Sequence, residues 1–279
     1  MIKSCVIGWP ITHSRSPLIH EYWLRKYAIA GSYTRKPVNP GDLPDFLSTL
    51  TASGYAGCNC TIPHKEAAFR LVPAADAYTN RVGAINTVFT REGKLFGTNT
   101  DGEGFLANLA AAIRPVDLKT ASVIILGAGG AALAIAGALI DAGVSNIAIA
   151  NRTPGRVEAV KTKLGDCIAR VPWSQTSDAL ADCRLLITTT SLGMTGQPPL
   201  DLDIGRLPAT AIVADIVYTP LTTPLLDQAK AQGNTIVDGL GMLLHQAVRG
   251  FELWFGVRPE VTNELYDLVA RDVDRSRPQ

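Results

Sequence analysis

The chain has 279 residues, 47% hydrophobic and 18% charged, and 26 Lys plus Arg against 25 Asp plus Glu leave a formal net charge of +1. That length makes one large or two modest domains, able to bury a core without disulfide or metal support. The composition excludes a disordered chain, a general nucleic-acid binder, a disulfide scaffold and a membrane span: charge is balanced, the five Cys form no Cys-x-x-Cys pair, and no 18-residue apolar run occurs.

Residues 4–8 read as an apolar strand rather than a signal peptide, so a cytoplasmic protein is expected. Residues 16–27 read as a helix, with Pro17 in its first turn and Leu18, Tyr22 and Trp23 at helical spacing. A strand over 32–37, a helix over 44–54 and a strand over 57–62 that stops at Pro63 follow. Strands over 82–89 and 95–99 join through a turn at Glu92-Gly93. A helix is expected over 104–113, and Arg114-Pro115-Val116-Asp117 reads as a breaker. Beyond it the alternation is regular: a strand over 122–126, an Ala-rich helix over 131–140, a strand over 146–150, a helix ending at 178–181, and strands over 185–188, 212–215 and 235–238. Such alternation predicts a parallel sheet with helices on both faces. A helix over 241–255 is expected to pack back on the first domain, and the Arg/Asp-rich tail after Ala270 reads as solvated and frayed.

The strand over 122–126 runs into Gly127-Ala128-Gly129-Gly130-Ala131-Ala132 and then a helix, which is G-x-G-x-x-A in a strand–turn–helix setting. The first Gly allows the tight turn, the second lets backbone N–H groups approach a pyrophosphate, and Ala132 stays small where helix and strand pack. No G-K-[ST] follows, which disfavours an ATP-type loop. The next strand ends in Asn151-Arg152-Thr153-Pro154-Gly155-Arg156, without the acidic residue that would hold an NAD ribose. Arg152 and Arg156 suit a 2′-phosphate instead, so NADP(H) is expected over NAD(H).

Four polar groups stand at strand ends or breaks: His13-Ser14-Arg15-Ser16-Pro17; Asn59-Cys60-Thr61-Ile62-Pro63-His64-Lys65; Gly83-Ala84-Ile85-Asn86-Thr87, with Asn86 inside an apolar strand; and Gly97-Thr98-Asn99-Thr100-Asp101-Gly102. Each alone reads as capping or turn chemistry. Together they suit a small polyol acid, with Lys65 and Asp101 placed for proton transfer at a carbonyl or alcohol oxygen. A Lys opening a helix is opposed by the helix dipole, which points to another reason for Lys65. Alternation turns Cys60 away from Asn59 and Thr61, into the core. The four scattered His offer loop or helix-face roles, and no metal site is expected.

These residues resemble the shikimate/quinate dehydrogenase family. The resemblance is carried by the segments above, by Ile7-Gly8-Trp9-Pro10, by Asp215-Ile216-Val217-Tyr218-Thr219-Pro220 and by Asp238-Gly239-Leu240-Gly241-Met242-Leu243-Leu244-His245-Gln246-Ala247, in family order. It implies two α/β domains flanking a cleft: an N-terminal substrate-binding and catalytic domain over 1–101, a Rossmann-type doubly wound NADP domain over 102–239, and C-terminal helices over 240–279 returning to the substrate domain. The implied reaction is reversible NADP-linked reduction of 3-dehydroshikimate to shikimate, a step toward aromatic amino acids through chorismate.

By that resemblance Ser14 and Ser16 bind the substrate carboxylate, and Thr61, Asn86, Asp101 and Gln246 bind ring hydroxyls or carboxylate. Asn59 shapes the same wall, Tyr218 lies near the carboxylate, and Lys65 with Asp101 is the catalytic pair. Asn151, Arg152, Thr153 and Arg156 match the adenosine-phosphate clamp, and Thr189, Ser191, Met194, Gly239 and Met242 line the cofactor channel. Trp9 and Cys60 depart from the family's more usual residues without removing a functional group. A broad quinate/shikimate enzyme and a non-catalytic nucleotide-binding sensor are the alternatives; the intact set of Lys65, Asp101, Asn86 and Gln246 speaks against the sensor. A small-molecule substrate is the expected partner, with neither nucleic acid nor membrane, in a monomer or homodimer.

Overall fold

The computed structural model describes residues 1–113 and 119–275. The chain divides into two compact units, Met1–Asp101 with Gln246–Val269, and Gly102–His245 with the residues from Ala270 onward. The expected breaker at Arg114-Pro115-Val116-Asp117 lies outside the described residues.

The first unit contains β1 (Ile2–Gly8), α1 (Ser16–Lys26), β2 (Gly31–Pro37), α2 (Leu43–Thr49), β3 (Tyr55–Cys60), α3 (Lys65–Leu71), β4 (Ala74–Ala75), α4 (Ala77–Val82), β5 (Thr87–Arg91) and β6 (Lys94–Thr98). The strands form one sheet in the order β2-β1-β3-β5-β6-β4. β1 runs parallel to β2 and β3, whereas β5 is antiparallel to both its neighbours, β3 and β6. Side chains alternate across the sheet. Cys5, Ile7, Cys58 and Cys60 enter a core with Leu43 and Leu47 of α2 and Ala68 of α3. Cys60 thus points into the apolar core, opposite Asn59, as alternation requires.

Two sequence expectations fail in this unit. The strand expected over 82–89 begins only at Thr87, because α4 precedes it. Asp76 caps that helix through Thr79 N–H at 2.7 Å, and Gly83 ends it in the left-handed region at φ 68°. Asn86 therefore sits in the bend before β5 rather than inside a strand.

The second unit is reached through α5 (Asp101–Ala112), which starts three residues earlier than expected and makes Asp101 its first residue. It continues with β7 (Ser122–Leu126), α6 (Gly130–Asp141), β8 (Asn146–Ala150), α7 (Pro154–Leu164), β9 (Ile168–Val171), α8 (Thr176–Ala179), β10 (Leu185–Thr188), β11 (Ile212–Asp215), α9 (Pro224–Ala231) and β12 (Thr235–Val237). The wholly parallel sheet has the order β12-β11-β10-β7-β8-β9. This is the doubly wound order in which the chain reverses direction between β7 and β10, where ligands bind at the carboxyl ends of the strands. Ile124, Leu126, Leu186 and Val213 pack against Leu225, Leu226 and Ala229 of α9.

Two last helices follow, α10 (Gly239–Phe255) and α11 (Asn263–Arg275). From residue 246 α10 belongs to the first unit, where Trp254 Nε1 donates to Val88 O at 2.9 Å. Gly57 of β3 leaves room for that indole; a Cβ there would collide with it. The frayed tail expected after Ala270 is instead helical as far as Arg275. Leu265, Val269 and Val273 recur every four residues and are fully buried, so an apolar stripe holds the helix despite its charged surface.

Candidate active site and nucleotide cradle

In the first unit the chain leaves β3 through Thr61-Ile62-Pro63-His64 and opens α3 at Lys65. The anion that a Lys in this position needs is Asp101, with Nζ donating to Oδ2 at 2.6 Å. The Lys65 side chain is 31% exposed and that of Asp101 9%, so the ammonium is reachable while the carboxylate is sunk. Asp101 is fixed twice more: Oδ1 accepts from Asn86 Nδ2 at 2.8 Å, and its backbone N–H donates to Asn99 Oδ1 at 3.0 Å.

Asn86 also donates to Thr100 Oγ1 at 3.0 Å, and its oxygen accepts from Thr100 N–H at 3.0 Å. Thr100 Oγ1 donates to the backbone carbonyl of Gln246 at 2.8 Å, tying α10 to the same cluster. Asn99 is held by Ala84 O at 2.9 Å and, through its N–H, by Thr79 Oγ1 at 2.9 Å. Lys65, Asn86, Asp101 and the Gln246 backbone thus form one connected, rigid polar network. Thr79, Asn99 and Thr100 are supports that sequence reasoning did not assign; for Asn99 and Thr100 the signal was a pair of polar residues between β6 and α5, whereas Thr79, inside α4, gave none.

Asn59, expected at the substrate, is 6% exposed and spends its side chain inside the protein. Its oxygen accepts from the Tyr33 hydroxyl at 2.5 Å, and its amide donates to Asn86 O and Thr87 Oγ1, both at 3.1 Å. In this geometry its side chain supports Asn86. Thr61 is half-buried, its N–H donating to Ile7 O at 3.0 Å. Ser14 and Ser16 share the turn that opens α1: Ser16 N–H donates to Ser14 Oγ at 3.3 Å, and Arg35 Nε donates to Ser14 O at 2.8 Å. Ser16 is buried, whereas Ser14 and the Gln246 side chain are half-buried. His64 Nε2 pairs with Val38 O at 2.9 Å, a loop role as expected.

In the second unit β7 leads into Gly127 at φ 105°, a conformation that favours glycine, and a Cβ there would sit 2.6 Å from Thr189 Oγ1. Thr189 closes this turn, with Oγ1 and N–H reaching Leu126 O at 2.8 and 2.9 Å. Gly129 is different. Its backbone is extended, φ −95° and ψ −170°, which any residue adopts. A Cβ at Gly129 or Gly130 would meet nothing within 4 Å. Neither conformation nor a protein neighbour requires glycine there; the open space leaves the exposed first turn of α6 accessible to an anionic group, so the residues fit a dinucleotide pyrophosphate. Ala128 and Ala131 flank this turn half-buried, and Ala132 is fully buried where helix meets sheet.

At the end of β8, Asn151 Nδ2 donates to Thr153 O at 3.0 Å, which shapes the turn into α7. Arg152, Thr153 and Arg156 are exposed. Among the described residues neither arginine has a carboxylate partner, so both guanidinium groups are available beside a helix N-terminus. Ser191 and Met194 are exposed and Thr189 and Tyr218 half-buried. Met242 is 9% exposed. Gly239 is buried against the backbone of Ile216 and Val217, so a side chain has no room there.

A doubly wound parallel sheet, a glycine turn leading into an exposed helix start and two exposed arginines at the second strand end, without a carboxylate partner among the described residues, have the layout of the nucleotide side of a dinucleotide-dependent oxidoreductase. Three family profiles match in sequence: the shikimate dehydrogenase substrate binding domain over 6–88, shikimate/quinate 5-dehydrogenase over 108–194, and the shikimate 5′-dehydrogenase C-terminal domain over 239–263. Shikimate dehydrogenase (NADP(+)) of Rhodopseudomonas palustris strain BisB5 is 50% identical over 272 residues, 98% of this chain and 95% of its own. Shikimate 5-dehydrogenase of Thermus thermophilus, solved with NADP(H) and shikimate, superimposes with a TM-score of 0.87 at 35% identity, over 98% of this chain and 100% of that one. Quinate dehydrogenase of Corynebacterium glutamicum, solved with NAD, gives 0.90 at 29% identity, over 97% and 99%. The chain belongs to the shikimate dehydrogenase family.

Proposed function

We propose that this protein catalyses the reversible reduction of 3-dehydroshikimate to shikimate, with NADPH as reductant. The observation that carries the reading is the Lys65–Asp101 pair at 2.6 Å, locked by Asn86 and reachable at its ammonium end. Bound NADPH supplies a hydride to the carbonyl carbon. Lys65 Nζ gives the proton that the forming alkoxide oxygen takes up, and solvent replaces it; the reverse direction returns the proton to Lys65. Asp101 orients the ammonium and stays bonded to Asn86, so no side chain has to move to place the proton.

The hydroxyls of Ser14 and Ser16 receive the substrate carboxylate, and Thr61, Asn86, Asp101 and Gln246 bind ring hydroxyls or carboxylate, with Tyr218 near the carboxylate. Gly127, Ala128, Gly129, Gly130 and Ala131 cradle the pyrophosphate. Asn151, Arg152, Thr153 and Arg156 hold the adenosine phosphate, with Thr189, Ser191, Met194, Gly239 and Met242 beside the rest of the cofactor. Residues 1–101 with the C-terminal helices make up the substrate domain and 102–239 the NADP domain.

The ligands are small molecules, with neither nucleic acid nor membrane as partner, in a cytoplasmic monomer or homodimer; the net charge of +1 speaks against a general nucleic-acid binder. Among the described residues no helix is long and apolar enough to cross a membrane.

The test follows nicotinamide absorbance with NADPH and 3-dehydroshikimate, and in reverse with shikimate or quinate and either oxidised cofactor. Turnover with NADPH and 3-dehydroshikimate is expected; none would sink the reading, and a preference for quinate with NAD⁺ would replace it. Lys65→Met and Asp101→Asn are each expected to lower kcat by about 100-fold or more while NADPH binding persists.

A further inference from the structure

Asp215 ends β11 and is 3% exposed. Its Oδ1 accepts from Thr188 Oγ1 and from Val217 N–H, both at 3.0 Å, and its Oδ2 accepts from Thr223 Oγ1 at 2.7 Å. Thr188 stands opposite Asp215 in the β10–β11 register, and its chain neighbour Thr189 closes the Gly127 turn. Thr223 caps α9, its oxygen accepting Leu226 N–H at 3.4 Å. From the other side Gly239 presses on residues 216 and 217: a Cβ there would lie 2.6 Å from Val217 O. The segment is clamped, and Tyr218 follows directly on the bonded Val217.

Among the described residues no cation pairs with Asp215. Burial pushes its carboxyl upward, against three hydrogen bonds that pull it down. An unpaired buried carboxylate is costly to keep. An amide oxygen would take the same Thr188 and Val217 donors. What an amide lacks is a second acceptor: its NH₂ would face the Thr223 hydroxyl, whose proton, now given to Oδ2, would have no acceptor there. The carboxylate is therefore specific to joining β10, the 216–218 segment and the cap of α9 in one geometry.

We infer that Asp215 is a positioning residue that aims Tyr218 at the substrate by clamping residues 216–218. This rests on the proposed placing of Tyr218 at the substrate. The experiment uses the full chain and measures KM for shikimate, kcat, and NADP⁺ affinity by fluorescence titration in Asp215→Asn, Tyr218→Phe and the double variant. Each single change is expected to raise the shikimate KM about tenfold, the scale of one lost hydrogen bond, with NADP⁺ affinity within about twofold. The double variant is expected to be no worse than the poorer single one. Thr223→Val should follow Asp215→Asn, and Thr223→Ser should restore the original KM; this pair carries the test if Asp215→Asn does not fold.

Additive losses, a parallel loss of NADP⁺ binding, or an unchanged KM in Asp215→Asn beside a raised one in Tyr218→Phe would overturn the inference. An unchanged KM in Tyr218→Phe would remove the reading of Tyr218 itself, and the inference with it.

Discussion

Replacing His20 with phenylalanine isolates the free energy of keeping a neutral imidazole among aromatic rings. His20 lies on α1, fully buried, and neither ring nitrogen has a hydrogen-bond partner among the described residues. It stacks on Tyr33 with centroids 4.0 Å apart and planes at 11°, and its centroid lies 5.7 Å from Trp23 and 5.9 Å from Phe251. Burial pushes its pKa down from the ordinary 6.5 to about 3. The unfolded chain takes up a proton near pH 6.5 that the folded chain refuses. Stability is therefore fully present above that pH and is lost as pH falls toward 3. At about 1.4 kcal/mol per pH unit, the step from pH 7 to pH 5 removes about 2 kcal/mol, and the loss approaches about 5 kcal/mol at pH 3. Phenylalanine keeps the stacking and has no proton to bind. Urea unfolding at pH 7 and pH 5, followed by tryptophan fluorescence, is expected to show the original protein losing about 2 kcal/mol more than His20→Phe across that step. Parallel losses in the two proteins would refute the reasoning, because the imidazole would then meet a partner or a proton in the folded state.

Arg152→Ala with Arg156→Ala is expected to raise the KM for NADP⁺ about 10- to 100-fold and leave that for NAD⁺ within about twofold, as charge-assisted contacts to an exposed phosphate are lost; an equal effect on both cofactors would rule out the phosphate clamp. At Gly129 an added Cβ meets no protein atom within 4 Å, so the Tm of Gly129→Ala should stay within about 2 °C while NADP⁺ affinity falls more than about tenfold. Gly127→Ala, by contrast, is strained at a positive φ and should cost about 1–3 kcal/mol in thermal or urea unfolding.

The fold class was legible because parallel strands buried on both faces read as unbroken apolar runs: residues 122–126 and 185–188 stand out by composition alone. The short helix α4 was not, since six residues carry too little periodicity and Val82 merges into the apolar run beyond Gly83. α11 was hidden for the opposite reason, as Leu265, Val269 and Val273 are diluted by charged neighbours. Lys65, Asn86 and Asp101 announced themselves as polar residues beside element ends. The role of Asn59 depends on Tyr33 and Thr87, 26 and 28 residues away along the chain, and that of Asp215 on the pairing of β10 with β11. Those partners are set by strand register, which local sequence does not encode.

The ring cluster around His20 also has a history in time. Trp23 and Tyr33 emerge early in synthesis, yet Phe251 and Trp254, which close over them, belong to residues 246–269 of the same unit. The nucleotide-binding sheet lies wholly within the intervening stretch. On the ribosome that sheet has all of its strands before the first unit can finish its core. The N-terminal unit, first to be started, therefore closes its core only after that sheet has been made, and it carries an uncovered aromatic surface through most of translation.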